Sequence, residues 1–459
     1  MEHTRTPQLR VYNTLTRRKD EFIPMQEGKV KLFVCGPTVY DFPHLGHAKT
    51  YTQFDFIVRY LRHKNFEVFY LQNLTDIDDK IINRAKEQGI SASDLAIKFE
   101  NIYFEDMQAL HNISVSEYAR ATKYIPDIVR QVQTLVEKGF AYRISDGYYF
   151  DLKKFSEYGK LSGRTTLQEN DAVSRIDEND EKHNKGDFCL WKFEKPGEPM
   201  WDTALGKGRP GWHIEDTAIT EHFFGSQYDL HGGAVDLIFP HHEAEIAQME
   251  AASGKQPLVR YWVHTAFLNI NSEKMAKSKG NFKTIRDALK LYNYRVLRYF
   301  FLSQHYRTPM DFSTDILEQA KNGLQRINDF IFSIDKNIDD ETHASTIQHC
   351  TTAMHGSFDD DFDTPKALAT LFDFIKEINT QGGAGKKVYA FMQELDTLFE
   401  CMTFDFGSID AEIKELIAKR EEARQQKDWK RADELRTIIN QKGYIIDDKK
   451  DGSYNIRKA

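Results

Sequence analysis

Between residues 30 and 80 the chain alternates strand, helix and strand, and this alternation restricts the fold more than any other stretch. Val30–Cys35 is an apolar run, short enough for a strand buried on both faces. A helix is expected from about His44 to Lys64. Glu67-Val68-Phe69-Tyr70-Leu71-Gln72-Asn73 is rich in strand formers. Two parallel strands joined by a helix cross over right-handedly. The unit therefore predicts an α/β domain built on a doubly wound parallel sheet. In such sheets ligands bind beyond the carboxyl ends of the strands, and Cys35 ends the first of them.

The helix opens with Pro43-His44-Leu45-Gly46-His47. Its glycine lets the backbone approach a ligand closely, and its two histidines share one face of the first turn. Far downstream, Lys274-Met275-Ala276-Lys277-Ser278 reads as a loop carrying two lysines and a serine. Histidines at a helix N-terminus and lysines on a loop together form a clamp for a triphosphate. A third cluster is Phe239-Pro240-His241-His242-Glu243-Ala244-Glu245. On a helix, His241 and Glu245 are four apart and share a face, which suits two metal ligands. His242 and Glu243 are the adjacent alternatives. The stretch from Gly208 to Asp216 ends where the sheet pattern resumes.

Bulk properties exclude several classes. With 62 Lys+Arg against 70 Asp+Glu the net charge is −8, so any nucleic-acid surface must be a local patch. A chain of 459 residues that is 40% hydrophobic and 13% aromatic is not disordered, and its length allows several domains. No run approaches the roughly 18 apolar residues of a membrane span. Met1-Glu2-His3-Thr4-Arg5 has no apolar core, so no signal peptide is expected. Four cysteines do not suggest a disulfide scaffold, and the reducing cytoplasm is the expected compartment. There is no internal repeat or low-complexity tract. Cys189, Cys350 and Cys401 have no metal-like neighbours and are assigned to core or surface.

Residues from about 125 to 200 read as an insertion, with a polar surface loop at Asp177–His183. Strand character resumes at Tyr228–Phe239, followed by a helix at Ala244–Ala252. A further strand at Tyr261–Ile270 leads into the lysine loop. Helices are then expected at Asp287–Leu297, Arg298–Leu302, Asp315–Phe332, Asp363–Ile378 and Ala390–Leu398. Two amphipathic helices, Ala411–Gln426 and Lys430–Asn440, precede a hairpin of Tyr444-Ile445-Ile446 and Tyr454-Asn455-Ile456 around Asp451-Gly452. Ile413, Leu416 and Ile417 are spaced for helix packing. Arg424, Lys427, Trp429, Lys430, Arg431 and Arg436 gather cations and an aromatic that suit RNA phosphates and base stacking.

The histidine and lysine motifs resemble the HIGH and KMSKS signatures of class I aminoacyl-tRNA synthetases. More specifically, Phe33–Asp41 (FVCGPTVYD), Asn73–Lys80 (NLTDIDDK), Gly211–Glu215 (GWHIE), His231-Gly232-Gly233, the FPHHEAE stretch and Asp428–Asp433 (DWKRAD) resemble cysteinyl-tRNA synthetases. These motifs spread over almost the whole chain. The resemblance implies a Rossmann-like catalytic domain in two halves (1–125 and 208–268) around a connective insertion (126–207). A lysine-loop and stem-contact region (269–310), an α-helical bundle (311–405) and a small α+β anticodon-binding module (406–459) would follow. It implies ATP-dependent activation of L-cysteine and its transfer to the 3′ end of tRNA(Cys). ATP would enter with Mg2+, and the chain is expected to be a monomer without a membrane.

Position by position, the resemblance puts catalysis on His44, His47, Lys274 and Lys277, and ATP binding on Gly46, His44, His47 and Lys277. The amino-acid pocket would comprise Cys35, Gly36, Thr75, Trp212, Asp236 and His241, with Asp236 holding the substrate ammonium. One zinc ion per chain would bind the substrate thiol through Cys35, Asp216, His241 and Glu245. Two positions depart from the family. Asp216 stands where the family usually has cysteine. It either ligates zinc through a carboxylate oxygen or is structural, with the fourth position filled otherwise. Ala276 stands where the family has serine, which removes one hydroxyl donor. The alternatives are a cysteine-activating ligase acting on an amino-sugar amine, which would lack the terminal module, and a non-catalytic tRNA-binding relative.

Overall fold

The computed structural model describes residues 8–164, 179–270, 273–274, 283–405, 411–448 and 454–458. They fall into two compact units, Met1–Ala320 with Ala353–Leu368, and Lys321–Thr352 with Ala369–Ala459.

The first unit is organised by a five-stranded sheet in the order Val259–Thr265, Tyr228–Ala234, Lys29–Val34, Glu67–Leu74 and Glu117–Arg120. All four pairings are parallel, so the strand carboxyl ends share one edge. The chain leaves Lys29–Val34 in one direction and returns on its other side at Tyr228–Ala234. The doubly wound expectation is therefore met, and its switch point lies between these two strands. The helix Leu45–His63 is capped by His44 and packs against the sheet through residues such as Phe54, Ile57 and Leu61. The insertion contains the helix Ile125–Glu137 and a four-stranded antiparallel sheet, Ala141–Ile144, Gly147–Phe150, Phe188–Phe193 and Gly208–Pro210.

The expected strand Tyr261–Ile270 is interrupted. Val259–Thr265 ends in the large sheet, and Leu268–Ile270 pairs instead with Glu273–Lys274 and Met310–Phe312. At the break, the Ala266 amide donates to the Tyr306 carbonyl and the Met310 amide to Phe267. Asp287–Leu297 is likewise broken. The helices are Ile285–Leu291 and Tyr294–Leu302, because the Asn293 side chain accepts from the Val296 amide and starts a new helix.

The second unit is helical. It includes Lys386–Phe399 and parts of Thr314–Ser333, Ala344–Phe358 and Thr364–Thr380. Ala344–Phe358 has no counterpart among the sequence expectations. The terminal helices Ala411–Gln425 and Trp429–Gln441 and the antiparallel hairpin Tyr444–Asp448 with Tyr454–Lys458 form as expected. Ile413, Ile417, Ile439, Tyr444, Ile446 and Ile456 give this module its own apolar core. Trp429 is exposed, whereas Arg424 pairs with Asp448 at 2.6 Å and Arg436 donates to the Ile446 carbonyl. Those two cations hold the module together. No helix among the described residues is long and apolar enough to cross a membrane.

One buried charge in the first unit is unusual. Lys49, 1% exposed, donates to Gln53 Oε1 at 3.1 Å, the Ala266 carbonyl at 2.8 Å and the Tyr306 carbonyl at 3.3 Å. No carboxylate pairs with it among the described residues, and burial lowers its pKa to about 7. The unfolded chain keeps that proton to about pH 10.4. Unfolded protein therefore binds more protons than folded protein between these values, and stability rises with pH there, by up to about 1.4 kcal/mol per pH unit. Relative to a Lys49→Met variant, the native chain should gain stability from pH 7 to about pH 9. Paired denaturation curves check this, and a stability difference that stays flat with pH would contradict the buried, unpaired ammonium.

Candidate active site

The site begins where Lys29–Val34 stops pairing. The Cys35 amide donates to the Gly232 carbonyl at 3.0 Å, and the Gly36 amide to Asn73 Oδ1 at 2.5 Å. A Cβ at Gly36 would collide with the Asn73 carbonyl, so only glycine lets the chain turn this close to the neighbouring strand. Cys35 is left at the carboxyl edge of the sheet, 8% exposed.

Two further segments bring donors to it. Asp216 lies in the first turn of the helix Ile214–Phe224, where the helix dipole favours a carboxylate. His241 lies in the wide turn Ile238–His242 that feeds the helix Glu243–Ser253. Cys35 Sγ is 3.5 Å from Asp216 Oδ2 and 3.6 Å from His241 Nε2, and His241 Nε2 is 2.9 Å from Asp216 Oδ2. Glu245 Oε1 is 3.2 Å from His241 Nε2, so this pair shares a face as its spacing predicts. Donors held about 2.1 Å from zinc at tetrahedral corners lie about 3.4 Å apart. The sulfur of Cys35, the imidazole nitrogen of His241 and a carboxylate oxygen of Asp216 at these separations, all buried, fit that ion, while Glu245 groups with His231 and His242 as well as approaching His241.

Electrostatics point the same way. In the metal-free chain, burial pushes the Cys35 thiol well above its ordinary pKa, and the Asp216 and Glu245 charges add to this. Burial and neighbouring carboxylates also raise Glu215 and Glu245. Neither Glu245 oxygen has a hydrogen-bond partner of good geometry among the described residues. Acidic groups whose charges burial and mutual repulsion disfavour suit a cation, which would displace their protons.

A shell of histidines surrounds the donors. His213 Nδ1 meets His241 Nδ1 at 2.7 Å, so one of the two carries the shared proton. A proton on His241 Nδ1 leaves its Nε2 lone pair for a metal. His231 Nδ1 meets the Tyr228 hydroxyl at 2.7 Å, and His242 Nδ1 meets His264 Nε2 at 2.8 Å. One nitrogen from each of His231 and His242 lies within 4.8 Å of a Glu245 oxygen, so Glu245 faces both this pair and His241. Burial lowers the pKa of His213, His231 and His242, and that of His264 to about 3, so these rings are neutral. Of the two alternatives at 242 and 243, Glu243 is committed elsewhere. It accepts from the Leu161 and Ser162 amides and the Ser162 hydroxyl.

The second half of the crevice is the N-terminus of Leu45–His63. The His44 and His47 rings stack with centroids 3.7 Å apart. His44 Nδ1 accepts from the Gly46 and His47 amides, and His47 Nδ1 accepts from the His44 amide. With Nδ1 accepting on each neutral ring, the proton lies on Nε2, and both rings carry an N–H donor. The described flanks of the lysine loop come to the same place. The Leu45 amide donates to Lys283 O and the Ile285 amide to Pro43 O, both at 3.1 Å, while Lys274 pairs in backbone register with Asn269. The side chain of Lys274, and Ala276 and Lys277 entirely, lie outside the described residues.

Among the other expected residues, Thr75 is buried and donates to Glu215 Oε1. Trp212 is half-exposed and stacks on His241 with centroids 4.5 Å apart. Asp236 is exposed on the turn Val235–Leu237, just past the carboxyl end of its strand. The residues that sequence reasoning missed are His213, His231, His264, Glu215 and Asn73. Four of them lay inside quoted motifs, but nothing in their spacing marked them as one cluster.

Residues 21–322 match the family model "tRNA synthetases class I (C) catalytic domain", residues 354–406 a "DALR domain", and residues 407–454 a "Cysteinyl-tRNA ligase anticodon binding domain". The cysteine–tRNA ligase of Thermoplasma volcanium is 44% identical over 96% of this chain and 98% of its own. The chain belongs to the cysteinyl-tRNA ligase family. The cysteine–tRNA ligase of Geobacter sp. strain M21 is similarly close, 43% identical over 97% of this chain and 98% of its own. Among solved structures, methionyl-tRNA synthetase of Mycobacterium tuberculosis in complex with methionyl-adenylate shares the fold, with a TM-score of 0.57 at 16% identity over 81% of this chain and 88% of that one. So does a ternary LeuRS–tRNA–LeuAMS complex of Agrobacterium radiobacter K84, with a TM-score of 0.60 at 9% identity over 83% and 85% of the two chains.

All four cysteines of this family member are buried, and Cys35 is further protected by its raised pKa. Ellman's reagent should therefore label almost no thiol in the folded, metal-free protein at pH 8, and four after denaturation. Prompt labelling of Cys35 in the folded state would contradict the electrostatics described.

Proposed function

We propose that this chain activates L-cysteine with ATP and transfers it to the 3′ end of tRNA(Cys), recognising the substrate thiol at a zinc ion held by Cys35, Asp216, His241 and Glu245. The observation that carries the reading is the convergence of one sulfur, one imidazole nitrogen and one carboxylate, from Cys35, His241 and Asp216, with Glu245 3.2 Å from His241. Zinc in that position would bind the thiol as thiolate and so reject serine, whose oxygen holds its proton. Trp212, stacked on His241, would wall the pocket, and Asp236 would meet the substrate ammonium.

The substrate carboxylate attacks the α-phosphorus of ATP, and pyrophosphate leaves. No general base is needed, because the attacking carboxylate is already ionised. His44 and His47 donate from Nε2 to oxygens on the α-phosphate, where negative charge builds up. The dipole at the start of Leu45–His63 favours the same anion. Lys274 and Lys277 neutralise the β- and γ-phosphates, which leave with Mg2+. The described flank of the lysine loop is anchored on Pro43–Leu45 by the backbone bonds of Lys283 and Ile285. The terminal module, with exposed Trp429, serves the anticodon end of the tRNA, which argues against an amino-sugar acceptor.

Cysteine-dependent ATP–pyrophosphate exchange should exceed serine-dependent exchange by about 10⁴-fold or more, since serine leaves the thiol-binding position unfilled. Comparable rates with serine would remove the thiol-recognition reading. Residues 411–458 carry their own core. Ending the chain after residue 405 should therefore spare exchange and cripple tRNA charging, and undiminished charging would remove the anticodon role.

A further inference from the structure

Asp216 is held in a way that the donor set alone does not require. Its two oxygens do different things. Oδ2 faces Cys35 and His241, while Oδ1 accepts from Asn73 Nδ2 at 2.5 Å. Asn73 is 1% exposed, and its other amide atom, Oδ1, accepts from the Gly36 amide at 2.5 Å. The orientation of this carboxamide is fixed by chemistry. A backbone N–H must meet an oxygen and a carboxylate must meet an N–H, and the reversed amide would break both bonds. One side chain thus clamps the backbone beside Cys35 and the carboxylate on the far wall.

We infer that Asn73 is a positioning residue for the metal centre: by occupying Oδ1 of Asp216 it commits Oδ2 alone to the cation. The inference rests on the zinc reading above. Without the Asn73 donor, Asp216 could offer both oxygens to one cation and compete for the position that the substrate thiol needs. It would also carry a buried oxygen with no partner. A thiol at position 216 has one ligating atom and needs no such restraint, so the role of Asn73 is tied to the aspartate found here.

The test is a four-way comparison on full-length protein. Zinc affinity is measured by competition with a chromophoric chelator, for the wild type, Asn73→Ala, Asp216→Cys and the double variant. Cobalt absorption reports coordination independently of activity. With Asp216 present, Asn73→Ala should weaken zinc binding by about 10- to 100-fold, the usual cost of losing a residue that orients a ligand. In the Asp216→Cys background the same change should cost less than about 3-fold. Asn73→Leu, which fills similar space, repeats the comparison if the alanine variant folds poorly. Equal losses in both backgrounds would make Asn73 a packing residue and overturn the inference. Zinc binding unchanged by Asn73→Ala would overturn it while leaving the metal reading intact, whereas a wild-type chain that takes up no zinc would overturn both.

Discussion

The active site depends on one parallel pairing, Lys29–Val34 against Tyr228–Ala234. Nearly two hundred residues separate these strands in sequence, and the crossovers diverge on either side of them, so no helix covers the crevice above their carboxyl ends. Gly232 makes the close approach possible, because a Cβ there would strike the Phe54 ring of the helix that bears the two histidines. Strand register and helix position are thus set by the same contact. The last bond of the pairing, from the Cys35 amide to Gly232, fixes where the thiol stands.

Two subsites of opposite character share that crevice. One is buried and rich in lone pairs, with Asp216, Glu245 and neutral imidazoles. The other lies at a helix end and is rich in N–H donors. The contrast with Asp55 is instructive. That carboxylate is also buried, but two arginines and the Ser114 hydroxyl satisfy it; Arg298 and Arg59 hold its pKa down although burial pushes upward. Asp55 is a finished ion pair, whereas among the described residues Glu245 faces only histidines. Buried carboxylates at a site of this kind are kept ready for a cation.

What could be read from the sequence was what is local. The strand–helix–strand unit, the shared face of His44 and His47 and the four-residue spacing of His241 and Glu245 all follow from local periodicity; the unit formed and both pairs meet, although a turn and a helix, not one helix, carry His241 and Glu245. The histidine shell was not legible, because His213, His231, His242 and His264 come from different strands and turns and only tertiary packing makes them neighbours. Asn73 was hidden for a similar reason, since its neighbours in sequence read as an ordinary strand end. The break at Ala266 is set by partners that are distant in sequence: the Tyr306 carbonyl takes the Ala266 amide and Lys49 takes its carbonyl. The departure at Asp216 was visible, but its orientation needed the structure.

That departure also changes how the site withstands oxidation. Among the described residues, Cys35 is the sole sulfur in the donor set. A centre with two thiols can close on itself when its ion is lost, welding a strand to a helix through a disulfide. Here the emptied centre would hold a single thiol facing carboxylates and imidazoles. Among the described residues Cys35 has no neighbouring thiol at this centre, so oxidation cannot tie the strand to the helix through a disulfide.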